Sequence, residues 1–184
     1  PLRLVGSEMC IRDSTNIIST INGKKVVLMN DAKFKSRRKI NWDEIEIYLK
    51  SYIGKCFEID ETSEKIYIGK DFPDEFSHSN DTKGLKGANM KAKANIVSII
   101  RELIITATDK VMFPDYNHKH KNRAEFGWNR YNTYFGLPIY NENGKLIRYN
   151  IFSVRMLVRC DKNGCLYLYD FVRTKKETSK PHKQ

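Results

Sequence analysis

The sequence lacks the features that mark membrane spans and zinc sites. No apolar run approaches the ~18 residues that a membrane-spanning helix needs, so we expect a soluble chain without a membrane partner. Cysteine is scarce, and the thiols form no CxxC pair and no spacing with histidine that would assemble a tetrahedral zinc site. A structural metal is therefore not expected. The cysteines are Cys10, Cys56, Cys160 and Cys165.

Cys160 and Cys165 flank the turn DKNG, so they could face each other across a hairpin. Reduced thiols are the commoner state in a chain without a secretion signal. We therefore expect a cytoplasmic protein with free cysteines.

The sequence also lacks the short motifs of several enzyme classes. It contains no GxxxxGK[ST] loop, no GxGxxG after a strand, no GxSxG elbow and no HExxH. The sequence therefore does not support P-loop nucleotide hydrolysis, dinucleotide binding, serine hydrolysis or zinc proteolysis. No cofactor is expected.

Basic residues, in contrast, are abundant. The chain carries 33 Lys and Arg against 22 Asp and Glu, a formal charge of +11 and a pI of about 9.5. Such a charge attracts polyanions over long range and releases counterions from them, which makes nucleic acid the leading partner class. A basic but inert surface is the alternative, because net charge alone does not specify function.

The sequence divides into four segments. Residues 1–14 resemble the peptide obtained when sequencing-adapter read-through is translated, so we expect them to be non-native and the chain to be the C-terminal part of a longer protein with upstream domains. Residues 15–40 read as a strand pair around NGK, followed by the basic linker KFKSRRK. Residues 41–179 form the main domain, and residues 180–184 are a tail.

Periodicity predicts an α+β fold for the main domain. Asn41 caps a helix with Ile45 and Leu49 on its apolar face, and a hairpin of KCFEI and KIYIG follows. DFPDEFSHSNDTKG reads as a loop, and residues 85–108 read as one core helix. Asn-Gly turn signals then separate three strands, at 128–140, 146–160 and 165–175. The expected architecture is a core helix packed on an antiparallel β-meander, with an N-terminal helix and hairpin.

Side-chain alternation assigns each strand of the meander an inner and an outer face. Phe152, Val154, Met156 and Val158 point inward from the second strand, and Leu166, Leu168 and Val172 from the third. Asp170 fits neither set. The outer set combines cations with aromatic rings: Trp128, Arg130, Tyr134, Arg155, Arg159, Tyr167, Tyr169, Arg173 and Lys175.

This outer face suits single-stranded RNA. Guanidinium groups bind phosphates bidentately, and unpaired bases stack on aromatic rings at about 1 to 3 kcal/mol each. Tyrosine and arginine are also common as ordinary cross-strand pairs on a solvated sheet, and that alternative stays open.

The segment from KHKNRAEFGWNRY through YNIF to KKETS, with FPDEF and LKGAN upstream, resembles a known family. It is similar to a C-terminal domain of phage and mobile-element polyvalent proteins, including large polyvalent protein-associated domains and toxin modules fused to Mu-type head-morphogenesis proteins. Related domains resemble the barnase, EndoU, colicin and RelE group of metal-independent ribonucleases. The resemblance implies an active site on the exposed face of the meander, and it covers roughly residues 57–179.

The resemblance implies particular residues. In the family pattern a Lys-His pair, here Lys119 and His120, precedes a Gly-Trp-x-Arg-Tyr strand, here residues 127–131. Asn129 departs from the pattern, which more often has an aromatic residue there. His120 is the candidate general base or acid, because histidine has an ordinary pKa of about 6.5 and the flanking lysines favour its neutral form. A solvated histidine in a basic loop is the alternative.

The remaining roles follow from the needs of metal-free RNA cleavage. Arg130 and Arg155 would stabilise the charge of the phosphorane, and Lys175 would orient the substrate together with Tyr169 or Thr178. Lys119 and Thr178 join the outer set as nucleic-acid contacts.

Three functions are consistent with these features. The first is an RNA-cleaving, toxin-like effector that acts in the cytoplasm of a bacterial host and has an immunity protein as a second partner. The second is a non-catalytic nucleic-acid-binding or accessory module of a phage polyprotein. The third is a structural spacer associated with packaging or the capsid.

Overall fold

The computed structural model describes residues 16–34, 39–116 and 124–177. These residues form helices and one strongly curled mixed sheet, so the α+β class is confirmed. The strands are β1 (Ile17–Ile21), β2 (Lys24–Leu28), β3 (Cys56–Glu58), β4 (Lys65–Ile68), β5 (Thr108–Phe113), β6 (Trp128–Tyr140), β7 (Leu146–Cys160) and β8 (Leu166–Lys176). The helices are α1 (Trp42–Leu49), α2 (Phe72–His78), α3 (Asn80–Gly84), α4 (Gly87–Asn95) and α5 (Ile100–Ile105).

The long strands β6, β7 and β8 form the centre of the sheet. Its order is β1-β2-β6-β7-β8-β4-β3, with β5 paired to the first half of β6. β6, β7 and β8 pair antiparallel, whereas β2 joins β6 and β4 joins β8 in parallel. The three predicted meander strands agree with the observed bounds to within one residue.

Local signals at the N-terminal side also predict the structure correctly. Asn22 and Gly23 both have positive φ, at 50° and 75°, as a tight hairpin between β1 and β2 requires. The side chain of Asn41 accepts hydrogen bonds from the N–H groups of Asp43 and Glu44 and so caps α1.

The helices cover one face of the sheet. Ile45 and Leu49 of α1 and Leu103 of α5 join a continuous core with Phe152 and Met156 of β7. The other face of β6, β7 and β8 carries the polar side chains of the predicted outer set. In the described part of the chain, no helix is both long and apolar enough to cross a membrane.

The segment predicted as a loop, residues 71–84, is two short helices. Phe72 and Phe76 lie one turn apart on α2 and are both buried, with Pro73 in the first turn. The turn-forming Ser79 caps α3 by accepting a hydrogen bond from the N–H of Thr82. The prediction was wrong because these residue types favour helix caps as well as turns.

The predicted core helix over residues 85–108 is interrupted. A 3₁₀ turn at Ile96–Ser98 separates α4 from α5, and Ile99 has non-helical dihedrals (φ −133°, ψ 19°). The segment is buried on more than one side, since Val97 and Ile104 are buried as well as Ile100 and Leu103. β-branched residues have a slightly lower helix propensity, and here they are buried on several sides of the segment. Two shorter helices accommodate this burial better than one straight helix.

The strand β5 was missed, because Asp109 and Lys110 break the alternation of apolar residues. Asp109 adopts a positive φ of 55°, and the pairing with β6 shifts register between Thr108 and Val111. Such a bulge interrupts the alternation of inward and outward residues by which a strand is recognised in a sequence.

Candidate nucleic-acid interface

The outer face of the meander is organised in cross-strand rows. Tyr134 of β6 lies opposite Ser153 of β7, which lies opposite Lys175 of β8. In the next row Asn132 pairs with Arg155. Directly paired residues of antiparallel strands share a face, so these side chains point to the same side.

Between these rows lies a pocket of about 330 Å³, which we term the cationic pocket. Three of its side chains carry positive charge, Arg155, Arg173 and Lys175, and one carboxylate, Glu177, also lines it. The remaining lining residues are Asn132, Thr133, Tyr134, Ser153 and Val154. The pocket therefore combines a net positive charge with neutral hydrogen-bonding groups and one aromatic ring.

The guanidinium groups around the pocket are close enough to repel one another. Burial lowers the pKa of Arg155 below its ordinary value, and the charges of Arg130 and Arg173 lower it further. Among the residues that the structure describes, no carboxylate forms a salt bridge with any of these three arginines. A bound anion would relieve the repulsion between them.

The position of Arg173 depends on bulges in β8. The register between β7 and β8 shifts twice, and Arg173 has a positive φ of 56°. Its backbone N–H donates a hydrogen bond of 2.9 Å to Oδ1 of Asp81 on α3.

These bulges change which residues of β8 face outward. Val172, predicted to point inward, pairs with Arg155 of the outer face, and Thr174 is buried instead. Simple alternation failed here because each bulge inserts one residue and exchanges the two faces. Asp170, which fitted neither face, is buried among the helices.

The N-terminal hairpin contributes a contact between a cation and an aromatic ring. The ammonium group of Lys24 lies 4.4 Å from the ring centroid of Tyr134, where it makes a cation–π contact. Lys24 was missed as a site residue, because only the parallel pairing of β2 with β6 brings it to the meander.

At the other end of the outer face, Trp128 and Arg159 are closed off from solvent. Trp128 is 7% exposed and packs edge-to-face on Tyr169, with ring centroids 4.8 Å apart. Arg159 is 9% exposed, and its Nε donates to Oδ2 of Asp71 at 3.0 Å. The expectation that both side chains are exposed was wrong, because residues after β4 and in the bulged part of β8 cover them.

The tyrosines of this end are also engaged with protein groups. The guanidinium of Arg159 lies 4.4 Å from the ring centroid of Tyr167. Burial raises the pKa of Tyr169, and a hydrogen bond with Glu75 raises it further. Tyr67 of β4 stacks at a tilt on Tyr167, with centroids 5.8 Å apart, and extends the aromatic cluster beyond the predicted set.

Three predicted site residues, Lys119, His120 and Thr178, lie outside the described residues. Arg130 is described, and it lies near the end of the hairpin formed by β5 and β6, where Phe113 pairs with Trp128. The described residues stop at Tyr116, after β5, and resume at Ala124, before β6.

Comparison of the chain with protein-family models, with curated proteins and with solved structures finds no match. The resemblance to polyvalent-protein domains therefore stays a prediction.

Proposed function

We propose that the protein binds single-stranded RNA through the cationic pocket. The observation that carries this proposal is the convergence of Arg155, Arg173 and Lys175 on one pocket, with no described carboxylate paired to either arginine. Guanidinium groups of arginine bind phosphate oxygens bidentately. A phosphate placed between crowded guanidinium groups also relieves the electrostatic repulsion between them.

The neutral groups of the pocket fit the rest of a nucleotide. Tyr134 offers a ring on which a base could stack, and the amide of Asn132 and the hydroxyl of Ser153 can hydrogen-bond a ribose or a base edge. An unpaired strand can present its base, ribose and phosphate to the pocket at once, whereas the bases of a duplex are paired and stacked on each other. This favours single-stranded over double-stranded RNA.

The test is titration of a fluorescein-labelled single-stranded RNA with the full chain, followed by anisotropy between about 50 and about 200 mM salt. We expect Arg155→Ala and Arg173→Ala each to weaken binding by about tenfold and to reduce the slope of log K against log salt by about 0.7. Lys162→Ala is the matched control, because Lys162 is exposed in the turn between β7 and β8, outside the pocket.

Equal losses in all three variants would show that only net charge matters and would overturn the pocket assignment. Salt-insensitive binding, or none, would favour a structural spacer. A duplex of the same sequence that bound more tightly than the single strand would overturn the assignment of the substrate.

RNA cleavage is the second candidate, and the position of Arg130 favours it. Arg130 belongs to the same electrostatic cluster as Arg155, and in the sequence it follows Lys119 and His120 by about ten residues. In this proposal His120 transfers the proton, Arg130 and Arg155 stabilise the phosphorane, and Lys175 orients the substrate.

Incubation of RNA with the protein in EDTA tests the second candidate. Cleavage that His120→Ala and Arg130→Ala abolish would support a toxin-like effector, and so would growth arrest on expression that His120→Ala prevents. Intact RNA with tight binding would leave the protein as a binding module.

A further inference from the structure

Two helices remote from the cationic pocket bring a histidine and two carboxylates together. Asp43 and Glu46 lie one turn apart on α1, and His78 is the last residue of α2. The Nε2 atom of His78 lies 3.1 Å from Oε2 of Glu46 and 3.5 Å from Oδ1 of Asp43. The candidate ligand atoms all lie within 4.8 Å of one another.

The two separations from His78 match those between neighbouring ligands of one metal ion. Imidazole nitrogen and carboxylate oxygen bind zinc-like ions at about 2.0 to 2.2 Å, which places neighbouring ligands about 3.0 to 3.5 Å apart in octahedral or tetrahedral geometry. The two distances from His78 fall in or at the edge of this range. An ion could therefore replace the hydrogen bond between Nε2 of His78 and Oε2 of Glu46, with the side chain of Asp43 turned to complete the ligand set.

The two helices that carry these side chains, α1 and α2, are held together by buried contacts. Ile45 of α1 and Phe76 of α2 are buried, and Trp42 contacts Phe76 edge-to-face with centroids 6.4 Å apart. The ammonium group of Lys50 lies 3.0 Å from Oε1 of Glu46, which fixes this carboxylate and leaves Oε2 directed at His78. Carboxylates that bind metals are commonly oriented by such contacts with neighbouring side chains that do not bind the metal themselves.

We propose that Asp43, Glu46 and His78 bind one divalent transition-metal ion. One imidazole with two carboxylates suits zinc, manganese or cobalt, whereas magnesium and calcium prefer oxygen ligands alone. Asp43 and His78 also line an open pocket of about 540 Å³ with Lys39, Asn41 and Trp42, so further coordination positions are accessible to water. The positive charge of Lys50 lowers the affinity, and with only three ligands we expect a Kd that is roughly micromolar.

No sequence motif indicates this site, because the spacing of Asp43, Glu46 and His78 resembles no metal-binding pattern. Only the packing of α2 against α1 brings His78 to the carboxylates. The inference does not depend on the proposed function, since none of the three residues lines the cationic pocket.

Isothermal titration of the metal-stripped full chain with zinc chloride, in a buffer that does not chelate metal, tests the proposal. We expect one equivalent to bind, and Glu46→Gln and His78→Ala each to weaken binding at least tenfold. Cobalt added as a spectroscopic probe should give a visible absorption band that zinc abolishes. Asp74→Asn is the matched control, because Asp74 is an exposed carboxylate of α2 outside the cluster, and it should bind zinc normally.

Asp43→Asn serves as a second variant that does not threaten the fold, because the Asp43 side chain is 83% exposed. It should also weaken zinc binding, while circular dichroism remains that of the unmodified chain. Absence of binding at millimolar zinc, or unchanged affinity in folded Asp43→Asn and His78→Ala, would overturn the proposal.

Discussion

The ammonium group of Lys93 lies 2.9 Å from Oδ1 of Asp170, and the two side chains are 0% and 1% exposed. Lys93 belongs to α4, and Asp170 lies in the bulged part of β8. Ser79 donates a hydrogen bond to the second oxygen of Asp170, and Asp81 lies 3.4 Å from the ammonium group of Lys93. This buried ion pair thus joins the helical layer to the strand that presents Arg173.

Replacement of one member of this pair should be strongly destabilising. At pH 8, above the folded-state pKa of Asp170, Lys93→Met would leave this carboxylate buried without its cation or force it to take up a proton, so we expect the free energy of unfolding to fall by about 3 to 5 kcal/mol. Urea denaturation followed by circular dichroism measures this loss. The double variant Lys93→Met, Asp170→Asn should lose less than the sum of the single variants, and full additivity would contradict the pairing.

Stability should also depend on pH through Asp170. Burial raises the pKa of this carboxyl to about 7 in the folded protein, against an ordinary value of 3.8, although Lys93 and Ser79 act in the opposite direction. The folded state therefore holds a proton that the unfolded state releases, so the contribution of Asp170 is full below pH 3.8 and is lost as the pH rises through about 7.

The measurement is the free energy of unfolding between pH 5 and 8, with Asp170→Asn as the comparison. Over the lower part of this range the unmodified chain should lose up to about 1.4 kcal/mol per pH unit more than the variant. Parallel pH profiles of the two proteins would show that Asp170 does not titrate in this window.

The parts of the fold that the sequence predicted correctly are those set by local signals. The turn at Asn22 and Gly23, the cap at Asn41 and the Asn-Gly turns of the meander each depend on neighbouring residues alone. The alternation of Phe152, Val154 and Met156 likewise identified the buried face of β7. Within the site, alternation placed Tyr134 and Arg155 correctly on the outer face.

The errors arise where distant residues decide the outcome. Arg159 meets Asp71 across 88 positions of sequence, so no local pattern could show that this arginine is already paired. Trp128 is covered by Tyr169 because β8 is bulged, and a bulge has no fixed sequence signature. Trp128, Arg159 and Tyr169 therefore contact protein groups. Arg155, Arg173 and Lys175 line the cationic pocket together with Tyr134.

Arg159 and the pocket arginines should respond differently to substitution. Arg159→Ala removes a largely buried ion pair with Asp71 and a cation–π contact with Tyr167, so we expect a loss of about 2 kcal/mol in stability. RNA affinity, measured at a temperature where the variant is folded, should stay within about twofold, because Arg159 does not line the cationic pocket. A tenfold loss of affinity in folded protein would show that the RNA site extends to this end of the sheet.

Arg173 combines a strained backbone with a position in the cationic pocket. A non-glycine residue at φ 56° costs about 1 to 2 kcal/mol relative to glycine, which has no Cβ to clash in this region. We therefore expect Arg173→Gly to increase the free energy of unfolding by about 1 kcal/mol relative to Arg173→Ala, which keeps the strain.

Both substitutions remove the same guanidinium group, so both should weaken RNA binding by about tenfold. Urea denaturation and anisotropy on the same two proteins separate the effects. Such strain is commonly retained where a side chain is needed in one orientation, and a gain in stability coupled to a loss of binding would fit that explanation. Equal stability of the two variants would instead show that the bulge relaxes once the arginine is removed, and that the conformation of β8 depends on Arg173 itself.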